Sequence, residues 1–247
     1  MINRQFWIKD DGIRLNANLD RPEDSRRLVI VIHGFTGHME EPHIVAVART
    51  LNEIGFATLR VEMYGHGHSD GDFRAHTLYK WLTNALTVID YARGLDWAEE
   101  IYLCGHSQGG LTVMLAAAMK HEAIRALIPL SPAAMIPEEC RAGKLLGTSF
   151  DPDHIPDTLY YKEAEALDGN YVRVAQTIRV EDAIDRYDGP VLIVHGDADE
   201  AVPVEVGRNV AERYKRCEFV QIPGDTHCYD HHLDQVLDAV KAWMLRQ

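Results

Sequence analysis

Cysteine is scarce in this chain. Its four residues, Cys104, Cys140, Cys217 and Cys228, form no C-x-x-C pair in a length of 247, which excludes a disulfide framework. Basic residues are in deficit too: 25 Lys and Arg against 38 Asp and Glu leave a formal charge of -13. Such a field repels nucleic acid and anionic lipid, so neither is expected as a partner, and the surplus serves solubility. The acidic surface neither requires nor excludes a homodimer. No run approaches the length of apolar residues that a membrane span needs. The opening MINRQFWIKDDG has no apolar stretch of signal-peptide type, so a cytoplasmic protein is expected. There is no HExxH, no zinc-finger spacing and no Lys-Ser/Thr ending to a glycine-rich loop. Neither a metal nor an organic cofactor is therefore expected.

What is present is a globular composition, 46% hydrophobic and 26% charged, in a length that suits one α/β domain spanning 1–247. Short apolar runs rich in β-branched residues occur at 28–32, 56–61, 101–104, 126–130, 191–194 and 217–222. They are continuous rather than alternating, as strands of a parallel sheet covered on both faces must be. Helical periodicity fills the gaps. Leu78, Leu82, Ala85, Leu86 and Ile89 form one apolar stripe, and Leu233, Val236, Leu237, Val240, Trp243 and Met244 another. The early runs Phe6-Trp7-Ile8 and 13–19 read instead as an antiparallel hairpin on the sheet edge. The expected architecture is α/β, a mostly parallel doubly wound sheet. One stretch breaks the rhythm: residues 133–187, with Pro137, Pro152 and Pro156 and the aromatics Phe150, Tyr160, Tyr161 and Tyr171 among them, exceed what one crossover needs. They read as an inserted cap subdomain over the C-terminal edge of the sheet, where open α/β folds bind ligands.

The chemistry concentrates at that edge. After the run 101–104 comes Gly105-His106-Ser107-Gln108-Gly109-Gly110, then an apolar helix. This is G-x-S-x-G in its required setting of strand, tight turn and helix. A serine hydroxyl is a poor nucleophile without a base within hydrogen-bond reach. The run 191–194 leads into His195-Gly196-Asp197-Ala198-Asp199, and the last strand ends in Pro223-Gly224-Asp225-Thr226-His227. In the chain order Ser, Asp, His, this makes Ser107 the nucleophile and His227 the base; Asp197, Asp199 and Asp225 are all candidates for the carboxylate behind it, and Asp199, two residues further into its loop, is favoured. Asp197 and Asp225 are read as loop-holding residues and His195 as structural. The oxyanion donors are expected to be the backbone N–H groups of Gln108 and of Phe35, the latter in His33-Gly34-Phe35 after the first parallel strand. The segment Gly65-His66-Gly67-His68-Ser69-Asp70-Gly71 reads as a glycine-rich bend, not a phosphate or metal loop.

These motifs carry a resemblance. With Phe150-Asp151-Pro152-Asp153-His154-Ile155-Pro156 in the inserted stretch and Gly224-Asp225-Thr226-His227-Cys228 near the end, the chain resembles, over essentially its full length, the bacterial α/β-hydrolase esterases that act on cinnamoyl and feruloyl esters. The resemblance implies an α/β-hydrolase fold with a small cap subdomain and a triad of Ser107, Asp199 and His227. It also implies a carboxylate and a tyrosine that hold the ring hydroxyl of a hydroxycinnamate, by position Glu139 and Tyr171. Where relatives can carry Asp, this chain reads Glu138-Glu139. The implied activity is hydrolysis of feruloyl, caffeoyl or coumaroyl esters, small aromatic substrates, through a serine acyl-enzyme and without a cofactor. A general short-chain carboxylesterase or acyl transferase is the alternative that the triad alone permits. A non-catalytic binding protein on the same fold is disfavoured by the complete set of triad residues.

Overall fold

The structure is a computed structural model that describes residues 1–161 and 165–247. The chain opens with β1 (Ile2–Asp10) and β2 (Ile13–Arg21), followed by β3 (Arg27–Ile32), α1 (Pro42–Glu53), β4 (Ala57–Val61) and α2 (Leu78–Arg93). Next come β5 (Glu100–His106), α3 (Gln108–Met119) and β6 (Ile124–Leu130). The inserted stretch holds α4 (Ile136–Arg141), β7 (Lys144–Leu145), β8 (Thr148–Ser149), β9 (Thr158–Tyr161), β10 (Glu165–Asp168), α5 (Asn170–Gln176) and α6 (Val180–Asp185). The chain then returns to the main sheet through β11 (Val191–Gly196), α7 (Val204–Arg213), β12 (Cys217–Ile222) and α8 (Leu233–Met244).

Eight strands form one sheet in the order β1-β2-β4-β3-β5-β6-β11-β12. The β1–β2 hairpin is antiparallel, and its turn is Asp11-Gly12, both with positive φ, the backbone that a tight two-residue hairpin needs. From β4 onward the strands run parallel. The continuous apolar runs follow from this: alternate residues of each strand point to opposite faces, and both faces are covered. Leu28, Ile30 and Ile32 of β3 join the core shared with α2 and α3, whereas Val29 and Val31 pack with Val47 and Leu51 of α1 and Val236, Val240 and Trp243 of α8. Helix α3 is buried on every side from Gln108 to Ala118, as expected of a helix apolar all round.

Two details depart from the pattern read in the sequence. The buried stripe of α2 is Leu78, Trp81, Ala85, Val88, Ile89 and Ala92, while Leu82 and Leu86 are only partly covered. The stripe is centred on Trp81, whose ring packs against His33 and His66, contacts that periodicity does not reveal. Among its described residues the inserted stretch contains two antiparallel ribbons, β7–β8 and β9–β10, and three short helices. Its Leu145, Leu159, Tyr161, Leu167, Tyr171 and Val172 belong to the same buried cluster as α2 and α3. The insertion is thus built onto the main core rather than around one of its own.

Candidate active site

Ser107 stands between β5 and α3 with φ 56° and ψ -119°, a backbone state that costs a non-glycine residue free energy and persists only when its surroundings enforce it. The surroundings do so through backbone bonds. Ser107 N–H donates to Leu130 O at 2.9 Å, and its carbonyl accepts from Leu111 N at 3.1 Å and Ala133 N at 3.0 Å. The two glycines of the motif are required by close approach: a Cβ on Gly105 would overlap the Gly109 carbonyl, and one on Gly109 would overlap the carbonyls of Ile32 and His33. Gln108 is the first residue of α3, so its N–H has no partner within the helix and forms part of the positive end of the helix dipole.

The loops after β11 and β12 interlock beside this turn. Asp197 N–H donates to Ile222 O at 3.1 Å and Ala198 N–H to Asp225 O at 2.9 Å; a Cβ on Gly196 would collide with the Asp225 carbonyl. The approach brings the buried Asp199 carboxylate onto His227, Oδ2 accepting from Nδ1 at 2.7 Å. The other oxygen, Oδ1, accepts from Ala201 N at 2.9 Å and Val202 N at 2.8 Å. Burial alone raises the pKa of such a carboxyl, but the hydrogen bonds from His195 and His227 outweigh it and hold Asp199 well below the usual carboxylate range. Because Nδ1–H of His227 is committed to Asp199, Nε2 carries the lone pair.

The neighbouring residues act on the loops. Asp197 accepts from Gly224 N at 2.6 Å and Gln221 Nε2 at 2.8 Å. Asp225 accepts from Thr226 N at 3.0 Å and His231 N at 3.1 Å. The His195 ring, fully buried, lies with Nε2 2.9 Å from Val202 O and 3.2 Å from Asp199 Oδ2. Tyr229 O–H donates to Val194 O at 3.0 Å and accepts from Ser131 Oγ at 2.9 Å, tying the chain two residues beyond His227 to β11 and to the residue that follows β6.

Sequence reasoning did not single out the histidines that line this rim. His106 Nε2–H donates to the His227 carbonyl at 2.8 Å, so its Nδ1 is an acceptor, 3.2 Å from His43 Nε2. The residue before Ser107 is therefore bonded to the backbone of His227. Burial holds His106 far below the ordinary imidazole range and lowers His43 to about 4. His66, from the glycine-rich bend, bonds through Nε2 to the Phe35 carbonyl and props the loop on which the expected oxyanion donor sits. The bend is itself clamped, Asn16 N–H and Ser69 Oγ–H forming a chain to the Glu62 carbonyl. The sequence showed His106 in the serine motif, His66 in the glycine-rich bend and thirteen histidines in all, but nothing of their contacts.

Phe35 lies in an aromatic cluster, edge-on to Phe73, His76, Tyr161 and Tyr171 with centroids 5.1–5.7 Å away. Tyr171 is fully buried, and its hydroxyl donates to Gln108 Oε1 at 2.6 Å. Glu139, half-buried on α4, has its carboxyl raised above the ordinary range by burial. Helices α4 and α5, which carry these two residues, pack on each other.

This fold and rim recur in known proteins. The protein-family model described as serine aminopeptidase, S33, matches residues 23–160. The structure of Est1E from Butyrivibrio proteoclasticus with ferulic acid bound is 64% identical, with a TM-score of 0.96 over 98% of both chains. The chain belongs to this serine hydrolase family and to its cinnamoyl and feruloyl esterases. A second structure of Est1E matches at 61% identity and a TM-score of 0.93, again over 98% of each chain. More distantly, palmitoyl-protein thioesterase ABHD10 of Homo sapiens is 26% identical over 195 residues, 75% of this chain and 61% of that protein's length. The chain thus spans less than two thirds of that relative. Among the described residues, no helix is long and apolar enough to cross a membrane.

Proposed function

We propose that this protein hydrolyses hydroxycinnamoyl esters through an acyl-enzyme on Ser107. The observation that carries the reading is the near-complete match to a chain that holds ferulic acid, in a molecule whose Asp199–His227 pair adjoins a strained serine turn. His227 Nε2 takes the proton as Ser107 Oγ attacks the ester carbonyl, and Asp199 stabilises the imidazolium so formed. The tetrahedral oxyanion is received by the N–H groups of Phe35 and Gln108, each worth about 3–4 kcal/mol by analogy with measured oxyanion holes. His227 then returns its proton to the leaving alcohol, and water repeats the sequence on the acyl-enzyme.

The acyl group is flat and apolar with a hydroxyl at its far end, which fits an aromatic-lined site closed by few polar groups. In this reading residues 133–187 cap the site, and Glu139 and Tyr171 take the ring hydroxyl. The Tyr171 hydroxyl, donating to Gln108, retains lone pairs that can accept from a phenol. Four unpaired cysteines accord with a cytoplasmic enzyme. The test is turnover of methyl ferulate, methyl caffeate and p-nitrophenyl butyrate on pure protein, with Ser107→Ala alongside. The aromatic esters should be preferred, and S107A should fall to near background with its fold retained. A large preference for butyrate overturns the substrate class; retained turnover in S107A overturns the nucleophile.

A further inference from the structure

Next to His227 lies a cluster for which the acyl chemistry has no use. Nitrogens of His43 and His106 and the sulfur of Cys228 all lie within 4.8 Å of one another, the two histidines buried and the cysteine half-buried. They come from three distant parts of the chain: α1, the end of β5 and the loop after β12. His106 directly precedes Ser107, and Cys228 directly follows His227.

We propose that His43 Nε2, His106 Nδ1 and Cys228 Sγ form a binding site for a zinc-class transition-metal ion, and that its occupancy restrains the His227 loop and inhibits hydrolysis. Two Zn–N bonds of about 2.05 Å at the tetrahedral angle set their nitrogens about 3.3 Å apart. His43 Nε2 and His106 Nδ1 stand 3.2 Å apart already. A ligating histidine holds its orientation by donating its other N–H to an oxygen, and His106 Nε2–H does so to the His227 carbonyl. Two imidazoles and a thiolate select borderline-soft ions over magnesium or calcium, which take oxygen ligands. The partly exposed side of Cys228 leaves room for water in the fourth position.

Protons balance simply. The Cys228 thiol releases its proton to solvent as the thiolate binds, the exchange that metal binding to cysteine demands. His43, whose single proton lies on Nε2 in its bond to His106 Nδ1, releases that proton to solvent and takes one up on Nδ1, so that Nε2 is free to ligate, and His106 keeps its own on Nε2. No bond of the protein breaks beyond the His43–His106 hydrogen bond, which the ion replaces. Since His106 holds the His227 carbonyl and Cys228 is the next residue, the ion grips the catalytic base's backbone from both sides.

Cobalt(II) chloride, titrated anaerobically into the whole purified chain, reports the site without reference to activity. A thiolate-to-cobalt charge-transfer band should saturate at one equivalent. Cys228→Ser should abolish it, His43→Ala should weaken cobalt binding at least tenfold, and Cys217→Ser, at the other half-buried thiol, should retain it. Absence of a saturable band, or its persistence in C228S, overturns the site. The inhibitory half rests on the hydrolase reading. Zinc chloride should lower methyl ferulate turnover in the wild type at least tenfold, reversibly with EDTA, and spare C228S. Equal inhibition of both proteins refutes control through this site. A protein with the cobalt band but no turnover of any ester fails the hydrolase reading alone.

Discussion

A buried carboxylate survives only if its lone pairs are filled, and Asp199 fills them with two backbone N–H groups on one oxygen and imidazole N–H on the other. This arrangement fixes the tautomer of His227, so Asp199→Asn should leave the backbone contacts in place and present the wrong hydrogen to Nδ1. The expected result is a loss of about 10⁴-fold in kcat for methyl ferulate, with thermal unfolding little changed. A loss below tenfold would show that another carboxylate serves the base. If Glu139 takes the ring hydroxyl as proposed, Glu139→Ala should cost more with methyl ferulate than with methyl cinnamate, which lacks that hydroxyl. The ratio of kcat/KM for the two esters should fall at least tenfold. An unchanged ratio would place recognition of the hydroxyl elsewhere.

At the scale of elements, the turn from β5 to α3 works because backbone approaches backbone. Gly109→Ala inserts a methyl group against the carbonyls of Ile32 and His33, so β3 and α3 cannot both keep their places. Overpacking of this kind costs about 1–3 kcal/mol, read as a lower urea midpoint, and it should also depress turnover because the Gln108 N–H moves with the helix. The β11 and β12 loops obey the same logic through Gly196 and Asp225. The motif marked the first of these turns only; the carbonyls that crowd Gly109 and Gly196, from the end of β3 and from the loop after β12, became visible only with the fold. The same holds for α2, whose period was legible but whose exact stripe was decided by the histidine rings beneath Trp81.

For the whole molecule, the buried histidines set the response to acid. Burial is the largest cause in each case, lowering His33 to about 3, His43 to about 4 and His76 to about 3. The unfolded chain binds protons at these residues below its ordinary value of 6.5, and the folded chain does not. Their contribution is therefore fully present above pH 6.5 and is lost as pH falls, down to about 4 for His43 and about 3 for His33 and His76. Each removes about 1.4 kcal/mol per pH unit across that window, against a typical total stability of about 5–15 kcal/mol. Urea midpoints should drop steeply between pH 6 and 4, before the depressed Asp199 carboxyl begins to matter below its unfolded value of 3.8. A midpoint independent of pH from 7 to 4.5 would contradict the neutral, buried state of these rings.

The parallel sheet, its edge hairpin and the existence of an inserted stretch were readable in one dimension, as was the placing of residues 107, 199 and 227 at the ends of strands of that sheet. Strand periodicity and the strand–turn–helix setting of G-x-S-x-G are local properties, and loops at strand ends must share one rim of a parallel sheet. Which histidines would surround that rim was not readable. His33, His43, His66, His76 and His106 lie on different elements and meet through contacts far apart along the chain. Their low pKa values come from burial, which exists only once the two layers of helices close over the sheet.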